Sequence, residues 1–132
     1  MAERAANAVT PPLGELRGGL LRLHKLLLER ERGRYQREHG PVESQHAFLG
    51  LVLSHPQFQW LRVLSELIVN IDEAMDEEDE GRDRAMGLFE QARELLTYAE
   101  PEGEFQQQYA AAREADPNIL VESSTLFRLL RG

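Results

Sequence analysis

The chain has no cysteine and no long hydrophobic run among its 132 residues. Without cysteine it has no disulfide bond and no thiolate metal ligand, which is typical of proteins in a reducing compartment. No stretch reaches the roughly 18 apolar residues of a membrane span, and residues 1–12 lack the apolar core of a signal peptide. We therefore predict a cytoplasmic protein that has no membrane partner.

Basic side chains are also few, since 15 Lys and Arg residues face 23 Asp and Glu residues and give a formal charge of −8. Sequence-independent binding to nucleic acid depends on cations that neutralise phosphates, so we expect no nucleic-acid partner. Fourteen of the basic residues are arginine, a bias that we interpret as GC-rich bacterial coding. A hydrophobic content of 42% suffices for one core but not for two ordinary domains. We expect a disordered N-terminal tail at residues 1–9 and a single helical domain at residues 10–132.

The charge is distributed unevenly along the chain. Residues 17–37, the basic segment, carry seven basic and two acidic side chains, whereas residues 72–104, the acidic segment, carry thirteen acidic and three basic ones. Mutual compensation on the solvated faces of one molecule is the simplest interpretation. The alternatives are that the two segments steer a partner or pair between subunits.

Turn signals divide the chain into helical segments. Thr10 with Pro11 and Asp116 with Pro117 each give an N-cap followed by proline at the first helical position, and Gly40 is a stop. No segment shows the period-two alternation of a half-buried strand. The expected helices are at about 11–38, 42–54, 56–78 and 82–99, with two short helices within 103–131.

These segments predict an all-α fold, a compact helical bundle of five to six helices around a central apolar helix at about 56–78. In that helix apolar residues cover roughly two thirds of the circumference, which favours packing on two or three sides. The short helix before it, HAFLGLVLS, is apolar nearly all round. It is either covered on both faces or leaves a patch for another chain, and the candidate residues for such a surface are Phe48, Leu49, Val52 and Trp60.

Polar residues within apolar helix faces are the candidates for a ligand pocket. Asp72 lies inside the apolar arc of the helix at 56–78, and His24 lies within the leucine face of the first helix. Further acids and a tyrosine continue along the His24 side. The pocket candidates are therefore His24, Glu31, Tyr35, Glu38 and Asp72. The simpler interpretation is structural, with an arginine or a helix N-terminus that neutralises Asp72 and a hydrogen bond that satisfies His24.

Motifs for catalysis or metal binding are weak. Glu43 and His46 have the Glu-x-x-His spacing of di-iron bundles, but such sites need two copies and the chain has one. There is no glycine-rich phosphate loop, and Ser123 and Ser124 have no histidine at a recognisable spacing. We predict no catalytic residue, no metal and no cofactor, and we consider an enzyme the less favoured possibility.

Two functions fit these patterns. The helices at 42–54 and 56–78 have more apolar surface than one buried face needs, and the basic and acidic segments carry opposite charges. Both features favour a small accessory or regulatory protein that binds a protein partner or forms a homo-oligomer. The alternative is a helical bundle that binds a metal or a small ligand through the pocket candidates. We predict the first function and keep the second as the alternative.

Overall fold

In the computed structural model of this protein, residues 11–77, 81–98 and 100–131 are described. Within these ranges all regular secondary structure is helical, which confirms the predicted all-α helical bundle. The elements are α1 (Leu13–His39), α2 (Gln45–Ser54), a 3-10 helix (Pro56–Leu61), α3 (Arg62–Asp76), α4 (Arg82–Leu96), α5 (Glu104–Ala115) and α6 (Pro117–Arg131). The predicted disordered tail at residues 1–9 lies outside the described residues, and the single domain at residues 10–132 stays a prediction.

The helix ends follow from local sequence. Gly40 ends α1 with a φ of 88°, a left-handed conformation that residues other than glycine rarely adopt. The Ser44 hydroxyl caps α2 by accepting a hydrogen bond from the Ala47 N–H at 3.0 Å. At the start of α6 the Asp116 carboxylate accepts a hydrogen bond from the Asn118 N–H at 2.9 Å. Residues 103–131 therefore form two short helices, as predicted.

The segment predicted as one helix at 56–78 consists of two elements. Its first six residues form the 3-10 helix, and α3 begins at Arg62. A 3-10 helix has three residues per turn, so Phe58 and Leu61 lie on the same side, and both are buried. Trp60 is buried as well, with its ring centroid 5.4 Å from that of Phe105 in α5. The predicted end at residue 78 lies outside the described residues.

Helix α1 and the segment at 56–76 share the centre of the described bundle, since that segment contacts α1, α2, α4 and α5. Leu16, Leu20, Leu23 and Leu27 are fully buried, and α1 contacts α3, α4, α6 and the 3-10 helix. Leucines at this spacing form one continuous stripe along a helix. The core is therefore built around the leucine stripe of α1.

Helix α3 packs against α1 and α4, and the rest of its surface is exposed. Leu64, Leu67 and Ile71 are buried, whereas Val63 and Val69 are 42% and 51% exposed. The burial predicted from the apolar arc of this segment was too high. Single apolar side chains are common on protein surfaces, so an apolar residue need not be buried. The helix is amphipathic and lies at the side of α1.

Helices α1 and α6 approach each other closely at Gly19. A Cβ atom added to Gly19 would lie 2.5 Å from the Leu126 side chain, so a larger residue would require that side chain to move. Arg22 and Glu122 form an ion pair at 3.2 Å between the same two helices. These contacts fix the position of α6 along α1.

Candidate functional site

Asp72 lies at the edge of the interface between α1 and α3. Its carboxylate accepts a hydrogen bond from Nε of Arg17, and the two side chains are 44% and 40% exposed. The buried face of α3 is centred on Leu64, Leu67 and Ile71, and Asp72 flanks that face. Asp72 is therefore partly exposed and paired, and the arginine partner agrees with the structural interpretation of this carboxylate.

His24 forms a hydrogen bond with Ser65 across the same interface, with Nε2 and Oγ 2.8 Å apart. The Ser65 hydroxyl also donates to the Leu61 carbonyl oxygen at 3.4 Å. The His24 tautomer decides which of the two groups donates in the shorter bond. Burial lowers the pKa of His24 from its ordinary value, which favours the neutral imidazole.

Among the charged residues of the described ranges, Glu31 alone is fully buried. One carboxylate oxygen accepts hydrogen bonds from Arg34 Nη1 at 2.9 Å and from Arg30 Nη1 at 3.4 Å. The side-chain amide of Gln57 donates to the other carboxylate oxygen and to the Glu31 backbone carbonyl, each at 3.0 Å. These bonds satisfy both carboxylate oxygens and join α1 to the 3-10 helix.

The polar residues of α1 that make these contacts, Arg17, His24 and Glu31, are seven positions apart. Seven residues are nearly two helical turns, so the three side chains lie on one side of α1 but about 10 Å apart along it. Their partners run in reverse order along the chain and are Asp72, Ser65 and Gln57. This row of polar pairs sets the antiparallel register of α1 and α3 and does not converge on one pocket.

The remaining pocket candidates, Tyr35 and Glu38, lie beyond this row. The Tyr35 ring stacks on the His39 ring with centroids 4.3 Å apart, and it lies 5.2 Å from the ring of His55. Glu38 is exposed. In the described parts of the chain no group of three or more His, Asp or Glu side chains could hold a metal ion. The five pocket candidates therefore occupy separate environments.

Helix α2 exposes an unusually apolar surface. None of its ten residues is buried, and none is Asp, Glu, Lys or Arg. Leu49 and Leu53 are 55% and 65% exposed. They are four positions apart and so lie on one face of the helix. We call the face formed by Leu49 and Leu53, with Val52 at its edge, the α2 surface.

The inner side of α2 attaches it to the rest of the fold. The Phe48 ring meets the Phe58 ring edge to face, with centroids 5.8 Å apart. The guanidinium of Arg32 lies 4.9 Å from the Phe48 ring centroid. Leu53 and Arg62 line a cleft of about 120 Å³ between α2 and the start of α3. One arginine therefore lies beside each half of α2.

Neither Arg32 nor Arg62 has an ion pair within the described part of the chain. Four other arginines of the basic segment do pair with carboxylates, namely Arg17, Arg22, Arg30 and Arg34. Of the described ion pairs, the one with Asp72 alone joins the basic segment to the acidic segment. Compensation between the two segments is therefore small, and positive charge remains beside the α2 surface.

The residues predicted for an interaction surface have different environments. Leu49 is exposed, while Phe48 and Val52 are half-buried. Trp60 is wrong as a surface residue, since it is 5% exposed and belongs to the core. The reason is the 3-10 geometry of residues 56–61, which turns the indole towards Phe105.

Sequence reasoning did not single out Leu53, Arg32 or Arg62 for this surface. Leu53 follows Leu49 by four positions, so the helical spacing was a usable signal. Arg32 lies in the basic segment, but nothing in the sequence places it over an aromatic ring of α2. Arg62 reaches the cleft only because the chain turns at Pro56 between α2 and α3.

No helix in the described ranges is both long enough and apolar enough to span a membrane. The functional interpretation depends on the α2 surface and the two arginines beside it, because α2 combines exposed leucines with neighbouring cations that have no ion pair in the described residues. Comparison of the chain with protein-family models, with curated proteins and with solved structures finds no match.

Proposed function

We propose that this protein is a protein-binding module and that the α2 surface receives an acidic amphipathic helix of another protein. The observation that carries the proposal is that a helix of ten residues without a charged side chain has no buried residue. Exposed leucines raise the free energy of the protein in water, because apolar surface is poorly hydrated. A partner that covers Leu49 and Leu53 removes this cost.

The energy available from the α2 surface fits a reversible complex. Burying a leucine side chain fully contributes about 1.5–3 kcal/mol. Leu49 and Leu53 are each partly covered already, so their remaining burial contributes roughly 2–4 kcal/mol together. Association loses translational and rotational freedom, so we expect affinities weaker than micromolar for a short helix.

Charge determines the kind of helix that fits. Arg32 and Arg62 lie beside the two halves of α2 and are not neutralised by the described residues. Carboxylates at the edges of a bound helix would pair with both guanidinium groups, which increases the association rate and the specificity. An apolar stripe with glutamate on either side is therefore the expected sequence of the partner.

A second copy of this chain is a poorer partner for the same surface. A two-fold interface brings the same patch of both copies together. In a dimer through α2, the arginines of one copy would face those of the other, and like charges at an interface are unfavourable. The charge pattern therefore favours another protein over self-association.

Two synthetic helical peptides test this function. Both carry leucines at the spacing i, i+3, i+4 and i+7, and the remaining positions are glutamate in one and lysine in the other. We expect the glutamate peptide to shift the amide NMR signals of residues 45–62, and the lysine peptide to leave them unchanged. Equal binding of both peptides, binding of neither, or a dimer through α2 in light scattering would contradict the proposal.

Matched surface variants separate the α2 surface from general hydrophobic binding. Leu53 in α2 and Val121 in α6 have the same exposed fraction, 65%. Leu53→Asp should weaken binding of the glutamate peptide at least tenfold, a change of about 1.4 kcal/mol, because it removes an apolar contact and adds a repelling charge. Val121→Asp should leave the affinity unchanged. If both variants lose binding equally, the peptide does not dock on α2.

A further inference from the structure

A polar cavity lies away from the row of polar pairs, where the end of α4 meets α5 and α6. Its volume is about 270 Å³, close to the lower end of the range for small-molecule sites. The side chains that matter for its chemistry are Tyr98, Tyr109, Arg113 and Ser123 on the polar side and Leu96 and Phe127 on the apolar side. No carboxylate is among the described residues that line it.

Tyr109 and Ser123 form a buried hydrogen bond at the base of this cavity. The Tyr109 hydroxyl donates to Ser123 Oγ at 2.7 Å, and the two residues are 1% and 5% exposed. Ser123 Oγ keeps its own hydrogen, which has no acceptor in the described part of the chain. Burial raises the pKa of Tyr109, against smaller opposing effects of Ser123 and Arg113, so the phenol stays protonated at neutral pH.

Two further donors at the cavity are buried without a partner. The Tyr98 hydroxyl and the Arg113 Nε–H are shielded from solvent and make no hydrogen bond in the described residues. The Arg113 guanidinium lies 5.5 Å from the Tyr109 ring centroid, which holds it in place. Buried polar groups in native proteins are nearly always hydrogen-bonded, and an acceptor bound in this cavity would explain two unpaired donors on residues that line it.

We propose that this cavity binds a small organic carboxylate. One carboxylate has two oxygens that accept several hydrogen bonds, which matches the unpaired donors of Tyr98, Ser123 and Arg113. Leu96 and Phe127 provide an apolar side for a short aliphatic or aromatic group of the same molecule. Arg113 supplies the compensating charge.

A single negative charge fits this site better than a phosphate dianion. Arg113 is the one cation among the described residues that line the cavity. The chain as a whole carries a formal charge of −8, which repels a dianion more strongly than a monoanion. The ligand class is therefore a monocarboxylate of roughly benzoate size, and the site is independent of the α2 surface.

Binding of benzoate to the full chain tests the proposal, with benzamide and phenyl phosphate as comparisons. The three probes share one ring and differ in the charge of the polar group. We expect benzoate to shift the amide NMR signals of residues 96–98, 109–113 and 123–127, and to bind at least tenfold more tightly than benzamide, the neutral probe. Benzamide binding as tightly as benzoate, tighter binding of phenyl phosphate, or no shift at these residues would overturn the proposal.

The variant Tyr98→Phe separates a binding role from a structural one. The Tyr98 hydroxyl has no partner in the described residues, so removing it should leave the thermal unfolding temperature unchanged or raise it. The same change should weaken benzoate binding about tenfold, because it removes a hydrogen bond to a charged group. Tyr35→Phe, outside the cavity, is the control and should bind like the unmodified protein. Unchanged benzoate affinity in Tyr98→Phe would refute the assigned site.

Discussion

Helices α2 and α3 are separated by one short 3-10 helix, yet they differ in how many of their residues are buried. Five of the fifteen residues of α3 are buried, whereas none of the ten residues of α2 is. Leucine-rich α1 covers one side of α3 and supplies polar partners along its edge. Helix α2 makes its main described contacts with the 3-10 helix, through Phe48 and Phe58.

The difference shows that apolar content alone does not decide burial. Helix α3 buries one apolar side, and α1 and α4 cover that side together. Helix α2 is apolar on both sides, and the body of the fold covers one of them. The uncovered side is therefore the part of the molecule where a partner would contribute most to stability.

Truncating one leucine in each helix should give the largest contrast between them. Leu64 in α3 is fully buried, so Leu64→Ala should lower the free energy of unfolding by about 2–5 kcal/mol. Leu53 is 65% exposed, so Leu53→Ala should change it by about 0.5 kcal/mol or less. Urea denaturation monitored by circular dichroism measures both. Similar losses for the two variants would mean that α2 is covered in solution.

The contact between α1 and the 3-10 helix, which connects α2 to α3, depends on Glu31. Glu31→Gln leaves Arg30 and Arg34 without a carboxylate, so we expect a loss of about 1–3 kcal/mol in the free energy of unfolding. The control is Glu90→Gln, which removes an exposed partner of Arg93 and should cost about 0.5 kcal/mol or less. Equal effects of the two changes would show that the burial of Glu31 does not increase its contribution to the free energy of unfolding.

At the other end of α3, the Arg17–Asp72 pair should contribute much less. Both side chains are more than one third exposed, so Asp72→Asn should cost at most about 1 kcal/mol. Salt screens exposed ion pairs, so the difference between the variant and the unmodified protein should shrink in about 1 M NaCl. A salt-independent loss of about 3 kcal/mol would instead indicate the buried carboxylate that the helical wheel suggested.

The smallest expected effect is the pH dependence of the free energy of unfolding that comes from His24 at the α1–α3 interface. Burial holds the pKa of His24 in the folded protein below its ordinary value of 6.5. As the pH falls below 6.5, the unfolded chain binds a proton that the folded protein does not, so the free energy of unfolding decreases. The decrease levels off below the lowered pKa of the folded state.

The variant His24→Gln keeps a group that can hydrogen-bond with Ser65 but does not titrate. Its free energy of unfolding should therefore fall less than that of the unmodified protein between about pH 7 and about pH 5. Urea denaturation at several pH values in that interval measures the two slopes. Identical slopes would mean that other groups account for the acid sensitivity.

Part of the candidate sites was predictable from sequence, and part was not. Leu49 on an all-apolar helix was predicted from composition and helical spacing, and so was Asp72 with an arginine or a helix N-terminus as its partner. The cavity residues Tyr109 and Ser123 were missed as a pair, although each lies on the apolar face of its own helix, which was a usable signal. Their hydrogen bond depends on how α5 and α6 pack, and spacing within one helix does not contain that information.

By itself, the sequence determined the helical class of the fold and several of the helix ends. Proline, glycine and capping residues act on their immediate neighbours, so the stop at Gly40, the cap at Ser44 and the start of α6 at Asp116 are local effects. The tertiary structure alone decided which polar side chains form hydrogen bonds with each other. Arg17 and Asp72 are 55 positions apart in the sequence, and His24 and Ser65 are 41 apart. It also decided that α1 packs along the segment at 56–76 and that one face of α2 remained exposed, because burial depends on the packing of distant helices.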